Sequence, residues 1–124
     1  MKDKILIADD SVSMRQMLKI ILTKAGYEFV EANDGQEALK LFSDEFMLVI
    51  TDLNMPNMNG IELIRSIRNG NVNSSVPIVM VTTESEESMK MEGRKAGATA
   101  WIVKPFNEEK LLAVIKKISG EVSF

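Results

Sequence analysis

Three aspartates, a threonine and a lysine could act together in this chain, because each closes or directly follows a short apolar run. They are Asp9, Asp10, Asp52, Thr82 and Lys104. If the aspartates come together, their carboxylates repel one another, and such a cluster is stable mainly when a cation or a shared proton offsets the repulsion. Carboxylate oxygens suit Mg²⁺, or Mn²⁺ in its place, far better than Zn²⁺. The group therefore predicts an Mg²⁺ site with a lysine and a hydroxyl beside it.

Such a site favours one kind of reaction. A protonated lysine such as Lys104 cannot ligate a metal, but it can pair with a carboxylate or with an incoming phosphoryl oxygen. The Thr82 hydroxyl can donate to the same oxygens. A metal and a cation around a carboxylate nucleophile are what phosphoryl transfer to an aspartate requires. A single aspartate after a strand is more often a helix cap or a turn residue, so the hypothesis depends on the recurrence of polar residues at successive strand ends.

The elements that position these residues can be predicted from hydrophobic periodicity. Apolar runs alternate with segments of helical periodicity, which indicates a βα unit repeated five times. The runs are Ile5 to Ala8, Tyr27 to Ala32, Leu48 to Thr51, Ile78 to Thr82, and Ala100 to Val103. This alternation predicts an α/β fold with a parallel sheet and right-handed crossovers. Because parallel strands end at the same edge, where open sheets bind ligands, we expect the polar residues to converge there.

The intervening segments are predicted to be helices with one apolar stripe each, as in Ile61, Ile64 and Ile67. Their starts carry capping residues with a partner three positions later. These pairs are Ser13 with Gln16, Asn33 with Gln36, and Asn59 with Glu62. The helix from about Ser85 to Lys95 is different, since it has little apolar stripe and contains Gly93. It is predicted to be only marginally stable, as a switch surface beside Thr82 would need, and the alternative is an ordinary solvated helix.

The composition limits the classes of function. A length of 124 residues fits a single domain over residues 1–124. The net charge of −3 and pI near 5.0 argue against electrostatic binding to nucleic acid or to an anionic membrane. The absence of cysteine and histidine excludes disulfides, thiolate zinc sites and Ser-His or Cys-His catalysis. The apolar run at the start is too short for a signal peptide or a membrane span, so we expect a cytoplasmic protein.

The same polar residues resemble the signature of a bacterial protein family. They are similar in order and spacing to response-regulator receiver domains, and most of all to stand-alone chemotaxis receivers of the CheY type. The matching positions are Asp9-Asp10, Asp52-Leu53-Asn54-Met55-Pro56 ending at Gly60, Thr82, and Lys104-Pro105-Phe106. The resemblance runs from Lys4 to about Ile118. It implies a (βα)5 flavodoxin-like three-layer sandwich with a five-stranded parallel sheet of order 2-1-3-4-5.

The resemblance also implies a role for each residue of the site. Asp52 would be the phosphorylated aspartate. Asp10 and Asp52 would ligate Mg²⁺ directly, together with the backbone carbonyl of Asn54, and Asp9 would act largely through bound water. Lys104 would bind a phosphoryl oxygen.

Four positions would transmit the phosphorylation signal or set the lifetime of the phosphoryl group. Thr82 would move toward the phosphoryl group, and the aromatic residue on the last strand, here Trp101, would follow it. Many relatives carry Tyr or Phe at that position, and the alternative is that Trp101 is an ordinary packing residue. Asn54 and Glu84 stand two residues after the aspartate and the threonine, where the family tunes hydrolysis of its own phosphoaspartate.

The function implied is that of a two-component response regulator, which catalyses only its own phosphorylation and dephosphorylation. Its partners would be a CheA-type histidine kinase, a downstream protein such as a flagellar motor switch protein, and a phosphatase. A receiver of another signalling pathway, or one excised from a multidomain DNA-binding regulator, is the alternative.

Two other classes fit the fold less well. A phosphatase that works through an aspartyl-phosphate needs an acidic residue where this chain has Asn54, which cannot exchange protons usefully. A flavodoxin-like cofactor binder needs a phosphate-binding loop after the first strand. The turn Asp9-Asp10-Ser11 instead presents carboxylates, which would repel a phosphate.

Overall fold

A computed structural model describes residues 3–119, in which strands and helices alternate as predicted. The strands are β1 (Lys4–Ala8), β2 (Glu28–Ala32), β3 (Phe46–Thr51), β4 (Ile78–Thr82) and β5 (Ala100–Val103). The helices are α1 (Val12–Lys24), α2 (Gly35–Leu41), α3 (Gly60–Arg68), α4 (Glu87–Ala96) and α5 (Glu108–Ser119). Within the described range, no helix has the length and apolar character needed to cross a membrane.

The five strands form one parallel sheet of order β2-β1-β3-β4-β5, which confirms the expected topology. The register of β1 against β3 matters most for the site, because Ala8 pairs with Thr51. Asp9 and Asp52 are the next residues of these strands, so they leave the sheet side by side. On the other side of β3, Thr82 of β4 pairs with Val103 of β5, and Lys104 follows directly.

Two apolar layers cover the sheet, because successive strand residues point to opposite faces. Ile5 and Ile7 of β1 pack with α1 and α5, and Leu6 and Ala8 pack with α2, α3 and α4. Burial of each large aliphatic side chain contributes about 1.5 to 3 kcal/mol. The result is the three-layer α/β/α sandwich that the resemblance implied.

One of the three predicted N-caps is confirmed and two are wrong. Asn59 caps α3 and forms a reciprocal capping box with Glu62. The cap of α1 is Ser11 rather than Ser13, and the cap of α2 is Asp34 rather than Asn33. Neighbouring capping residues compete in both segments, and the one that caps is the one that keeps an extended backbone after the strand ends.

Helix α4 runs from Glu87 to Ala96, one to two residues later than predicted. Its carboxyl end is firmly held, because Gly97 adopts a left-handed φ of 117° and its carbonyl accepts two hydrogen bonds from Arg68, at 3.1 and 2.8 Å. A third bond joins Arg68 to the Ser74 carbonyl at 2.7 Å. Arg68 therefore ties the end of α3 to the end of α4.

Candidate functional site

Asp9, Asp10, Asp52 and Lys104 lie together at the carboxyl edge of the sheet, and we call this group the acid edge. The Asp52 backbone N–H donates to the Ala8 carbonyl at 2.9 Å, which fixes the end of β3 against the end of β1. The Lys104 ammonium lies 3.2 Å from Asp9 Oδ2 and 3.2 Å from Asp52 Oδ2. It therefore bridges the two carboxylates, and its side chain is only 13% exposed.

The three aspartates can present one carboxylate oxygen each within 4.8 Å of one another. Asp9 is buried, Asp52 is half-buried and Asp10 is exposed, so the cluster opens toward solvent on the Asp10 side. Several hard oxygen donors with an open side fit Mg²⁺, which binds through one or two carboxylates and keeps several waters. The donor set therefore suits the predicted ion.

Burial raises the pKa of the Asp9 carboxyl above its ordinary value. The Ser11 N–H, which donates to Asp9 Oδ1 at 2.9 Å, and the Lys104 ammonium oppose this shift, and the neighbouring Asp52 carboxylate adds to it. The folded chain binds this proton more tightly than the unfolded chain does. The free energy of unfolding therefore falls as the pH rises from the ordinary pKa of an aspartate through the raised pKa of Asp9, where the buried carboxyl becomes charged. A cation at the acid edge would offset that loss.

The loop after β3 holds the Asp52 side chain in place. The Leu53 N–H donates to Asp52 Oδ1 at 2.7 Å, and the Gly60 N–H donates to the Leu53 carbonyl at 2.8 Å. A Cβ atom at Gly60 would stand 2.3 Å from the Asp52 carbonyl oxygen. Only glycine therefore lets the start of α3 approach the Asp52 backbone this closely.

A second support for this loop comes from the start of α2, and sequence reasoning missed it. Asp34 accepts a hydrogen bond from the Glu37 N–H through Oδ1 at 2.8 Å and one from Asn57 Nδ2 through Oδ2 at 2.6 Å. The Gly35 N–H donates to the Met58 carbonyl at 3.1 Å. The signal in the sequence was the Asp-Gly pair after β2, which predicts a turn but does not name the loop that it contacts.

Thr82 and Trp101 are joined through the backbone of Glu84. Buried Thr82 accepts a hydrogen bond at its hydroxyl from the Glu84 N–H at 3.3 Å. The Trp101 Nε1–H donates to the Glu84 carbonyl at 2.9 Å. The Trp101 ring also lies against Gly93 of α4, where a Cβ atom would stand 2.6 Å from Cζ3. We call Glu84, Gly93 and Trp101 the α4 flank.

Most of the predicted site residues thus fall into two groups, four in the acid edge and two, Glu84 and Trp101, in the α4 flank. Thr82 is next to both, since its carbonyl accepts the Lys104 backbone N–H at 2.8 Å. Asn54 lies exposed in the loop after Asp52. The α4 flank depends on contacts between α4 and β5, which no local pattern in the sequence indicates.

Comparisons with known proteins agree with this geometry. A family model described as "Response regulator receiver domain" matches residues 5–116. A chemotaxis protein CheY homolog of Campylobacter jejuni is 42% identical over 125 aligned positions, which cover 95% of this chain and 96% of the relative. The solved structure of the chemotaxis response regulator CheY4 of Vibrio cholerae is 42% identical, with a TM-score of 0.86 over 95% of this chain and 99% of that one.

A longer relative matches over its receiver portion. The transcriptional regulatory protein CpxR homolog of Haemophilus influenzae is 36% identical over 115 positions, which cover 93% of this chain but only 49% of the relative. The family model and both kinds of relative span nearly all of the described sheet and its helices. The chain therefore belongs to the family of response regulator receiver domains and is a two-component response regulator.

Proposed function

We propose that residues 1–124 act as a single phosphorylation-dependent switch in which Asp52 accepts a phosphoryl group from a phosphohistidine of a histidine kinase. The observation that supports this most directly is the setting of Asp52, which has one carboxylate oxygen on the Leu53 N–H and the other on Lys104. In the reaction an Asp52 oxygen attacks phosphorus, the P–N bond breaks, and its electron pair returns to the imidazole nitrogen. The Leu53 N–H and the Lys104 ammonium orient the Asp52 carboxylate and restrict its rotation.

Asp10, Asp52 and the Asn54 carbonyl are the proposed direct ligands of Mg²⁺, with Asp9 acting through water and Mn²⁺ as a substitute. When bound, the ion would neutralise charge on the phosphoryl oxygens. Lys104 is proposed to exchange Asp52 Oδ2 for a phosphoryl oxygen while it keeps its bond to Asp9. Its position between two carboxylates supports this, because loss of one partner leaves the ammonium anchored by the other.

The signal is proposed to pass from the phosphoryl group through Thr82 to Trp101. If the Thr82 hydroxyl turns to a phosphoryl oxygen, it gives up its present bond from the Glu84 N–H. The Glu84 carbonyl, which now holds the indole N–H, would then shift and carry Trp101 with it. The two states differ in contacts at both ends of Glu84, which is what a biased two-state equilibrium requires. Glu84 and exposed Asn54 are also the proposed positions that tune phosphoaspartate hydrolysis.

The output is proposed to be a change in affinity for a protein partner at the surface formed by α4, β5 and α5. Trp101 lines two grooves, of about 360 and 600 Å³. Lys90, Arg94 and Glu87 line the first groove and Lys110 lines the second, so movement of one ring would reshape two grooves in which basic side chains outnumber acidic ones. A partner that combines acidic and apolar side chains would fit this surface.

We propose chemotaxis as the pathway, with a CheA-type kinase, a flagellar motor switch protein as target and a phosphatase as a third partner, all in the cytoplasm. The full-length match to a chemotaxis CheY homolog supports this assignment. The alternative of a receiver in another pathway or in a DNA-binding regulator is supported by the match to half of a CpxR homolog. Autophosphorylation and autodephosphorylation would be its only catalysis, since Asn54 lacks the acid needed for phosphatase turnover.

The test is to add Mg²⁺ and a small phosphodonor and to measure both the intact mass and the Trp101 emission. We expect one phosphoryl group on the wild-type chain and a matching change in emission. Asp52→Asn is the control and should show neither change. The same gain in mass in Asp52→Asn would assign the phosphoryl group to another residue and end the proposal.

Phosphotransfer profiling separates the two pathways. A chemotaxis kinase autophosphorylated with ATP should transfer to this chain within seconds, and kinases of other pathways should transfer far more slowly. Faster transfer from a kinase paired with DNA-binding regulators would favour the alternative.

A further inference from the structure

Arg15, in the second turn of α1, connects the acid edge to strand β2. Its Nη1 donates to the carbonyl oxygen of Asp9 at 2.5 Å, and its Nε donates to Glu31 Oε1 at 2.9 Å. The side chain is only 11% exposed, so this guanidinium is not an ordinary solvated surface group. The two bonds use different nitrogens of one rigid fork, and each therefore orients the other.

Glu31 is itself held at both carboxylate oxygens by side chains of α1. Its second carboxylate oxygen accepts a hydrogen bond from Lys19 Nζ at 2.9 Å, one turn further along α1. Glu31 lies on β2 opposite Ile7, two residues before Asp9. The anchor of Arg15 is thus a residue of the sheet and not of the loop after β1.

The peptide unit that Arg15 contacts is the one that joins Asp9 to Asp10. Because a peptide unit is planar, fixing its carbonyl also fixes the direction in which the chain enters Asp10. The Asp9 N–H donates to the Ala32 carbonyl at 3.2 Å, and the Asp9 side chain accepts from the Ser11 N–H at 2.9 Å. Arg15 therefore contacts the one backbone carbonyl that leads to the exposed aspartate of the cluster.

We infer that Arg15 is a positioning residue for the acid edge, which holds the exposed Asp10 carboxylate near Asp9 and Asp52 against their mutual repulsion. This inference rests on the proposed function, since it concerns the cation site of that function. Without the contact, repulsion would turn the Asp10 peptide outward, and a cation would have to bring it back on binding. Groups that orient metal ligands in this way typically change metal affinity by about 10- to 100-fold.

Lys19 provides a matched control, because Lys19→Met and Arg15→Met each remove one positive charge and one hydrogen bond to Glu31. Only Arg15→Met also removes the contact with the Asp9 carbonyl.

The Mg²⁺ dissociation constant of each variant would be measured by isothermal titration calorimetry, and Mn²⁺ binding by electron paramagnetic resonance. We expect Arg15→Met to bind Mg²⁺ about tenfold more weakly or worse, and Lys19→Met to stay within about twofold of wild type. Equal losses in the two variants, or unchanged affinity in Arg15→Met, would overturn the inference.

Arg15→Lys tests the same point if the methionine variant does not fold. It keeps the charge, but one ammonium cannot span the Asp9 carbonyl and Glu31 as the fork does. Its Mg²⁺ affinity should be clearly weaker than that of wild type, and a wild-type value would count against the positioning role. Circular dichroism in metal-free buffer checks the fold.

Wild type and Asp10→Asn separate this inference from the proposed function. If wild type binds no Mg²⁺, or Asp10→Asn binds it as well as wild type, the cation site itself is wrong. If wild type binds Mg²⁺, Asp10→Asn does not, and Arg15→Met matches wild type, only the role of Arg15 fails.

Discussion

Helices α3 and α4 start after neighbouring strands and pack on the same face of the sheet, but they are held very differently. Helix α3 begins with a reciprocal capping box and buries five of its residues, from Gly60 to Ile67. Helix α4 has no side-chain hydrogen bond at its N-cap, Glu86, and buries only Gly93 and Ala96. The helix that begins beside Asp52 is therefore the stable one, and the helix that begins beyond Thr82 is the weaker one.

The weakness of α4 is confined to one end. At its carboxyl end, Gly97 closes the helix and Arg68 binds the Gly97 carbonyl. Segments with few buried contacts open at lower free energy than the rest of a protein. The amino end of α4 is the end closest along the chain to Thr82. A small change in the free energy of local opening could alter the structure there.

The sharpest test of this contrast uses two glycines, and the larger effect is expected at Gly60. In Gly60→Ala the new methyl group would meet the Asp52 carbonyl oxygen at 2.3 Å and Met80 at 3.0 Å. Backbone atoms cannot give way as a flexible side chain can, so we expect a loss of about 2 to 3 kcal/mol in the free energy of unfolding, measured with urea.

Gly93→Ala is the matched change on α4. Here the methyl group would meet the Trp101 ring at 2.6 Å, but alanine also raises helix propensity by about 1 kcal/mol. The free energy of unfolding should stay within about 1 kcal/mol of wild type. The displaced ring should instead give red-shifted Trp101 emission. A larger loss of stability in Gly93→Ala than in Gly60→Ala would reverse the contrast.

The caps of the two helices provide the next test. Asn59→Ala removes the capping box of α3 and should lower the free energy of unfolding by about 1 kcal/mol. Glu86 has the extended backbone of an N-cap but no capping side chain, so Glu86→Ser should raise the free energy by about 0.5 kcal/mol. Chemical denaturation measures both. If α4 is the moving element, Glu86→Ser should also reduce the change in Trp101 emission on phosphorylation, and an undiminished change would exclude that movement.

The smallest expected effect concerns charge at the acid edge. In metal-free buffer, Asp10→Asn relieves repulsion among the three carboxylates and should raise stability by about 0.5 kcal/mol. Glu87→Gln removes the same charge from the first turn of α4, where Glu87 is exposed and lies 3.9 Å from Lys90, so it should lower stability slightly rather than raise it. Thermal melting with a chelator measures both, and the Asp10→Asn gain should shrink in high salt. A lower melting temperature for Asp10→Asn would argue against a repulsive cluster.

Much of this organisation could be predicted from the sequence, since it follows from local periodicity. The apolar runs gave the strands within about two residues, and their common direction predicted that Asp9, Asp52 and Lys104 would meet. The strand order came from the family resemblance, because periodicity does not determine it. The capping residues Ser11 and Asp34 were missed because neighbouring residues of equal propensity compete, and only the path of the chain after each strand decides between them.

The features that could not be predicted are contacts between different elements rather than patterns within one element. The bond from Arg15 to the Asp9 carbonyl, the bond from Arg68 to the Gly97 carbonyl and the contact between Gly93 and Trp101 each depend on how helices pack. None of them has a characteristic spacing. Arginine and glycine occur too often for their mere presence to indicate such contacts.

The contact between Gly93 and Trp101 has a consequence for how this chain and its relatives diverge. The indole occupies space that any side chain at position 93 would fill, so the two positions cannot change freely on their own. A lineage that replaces the tryptophan with a smaller ring gains room for alanine or a larger residue on the helix, and one that acquires the tryptophan without glycine there must displace the ring. We therefore expect the two positions to covary among homologous receivers.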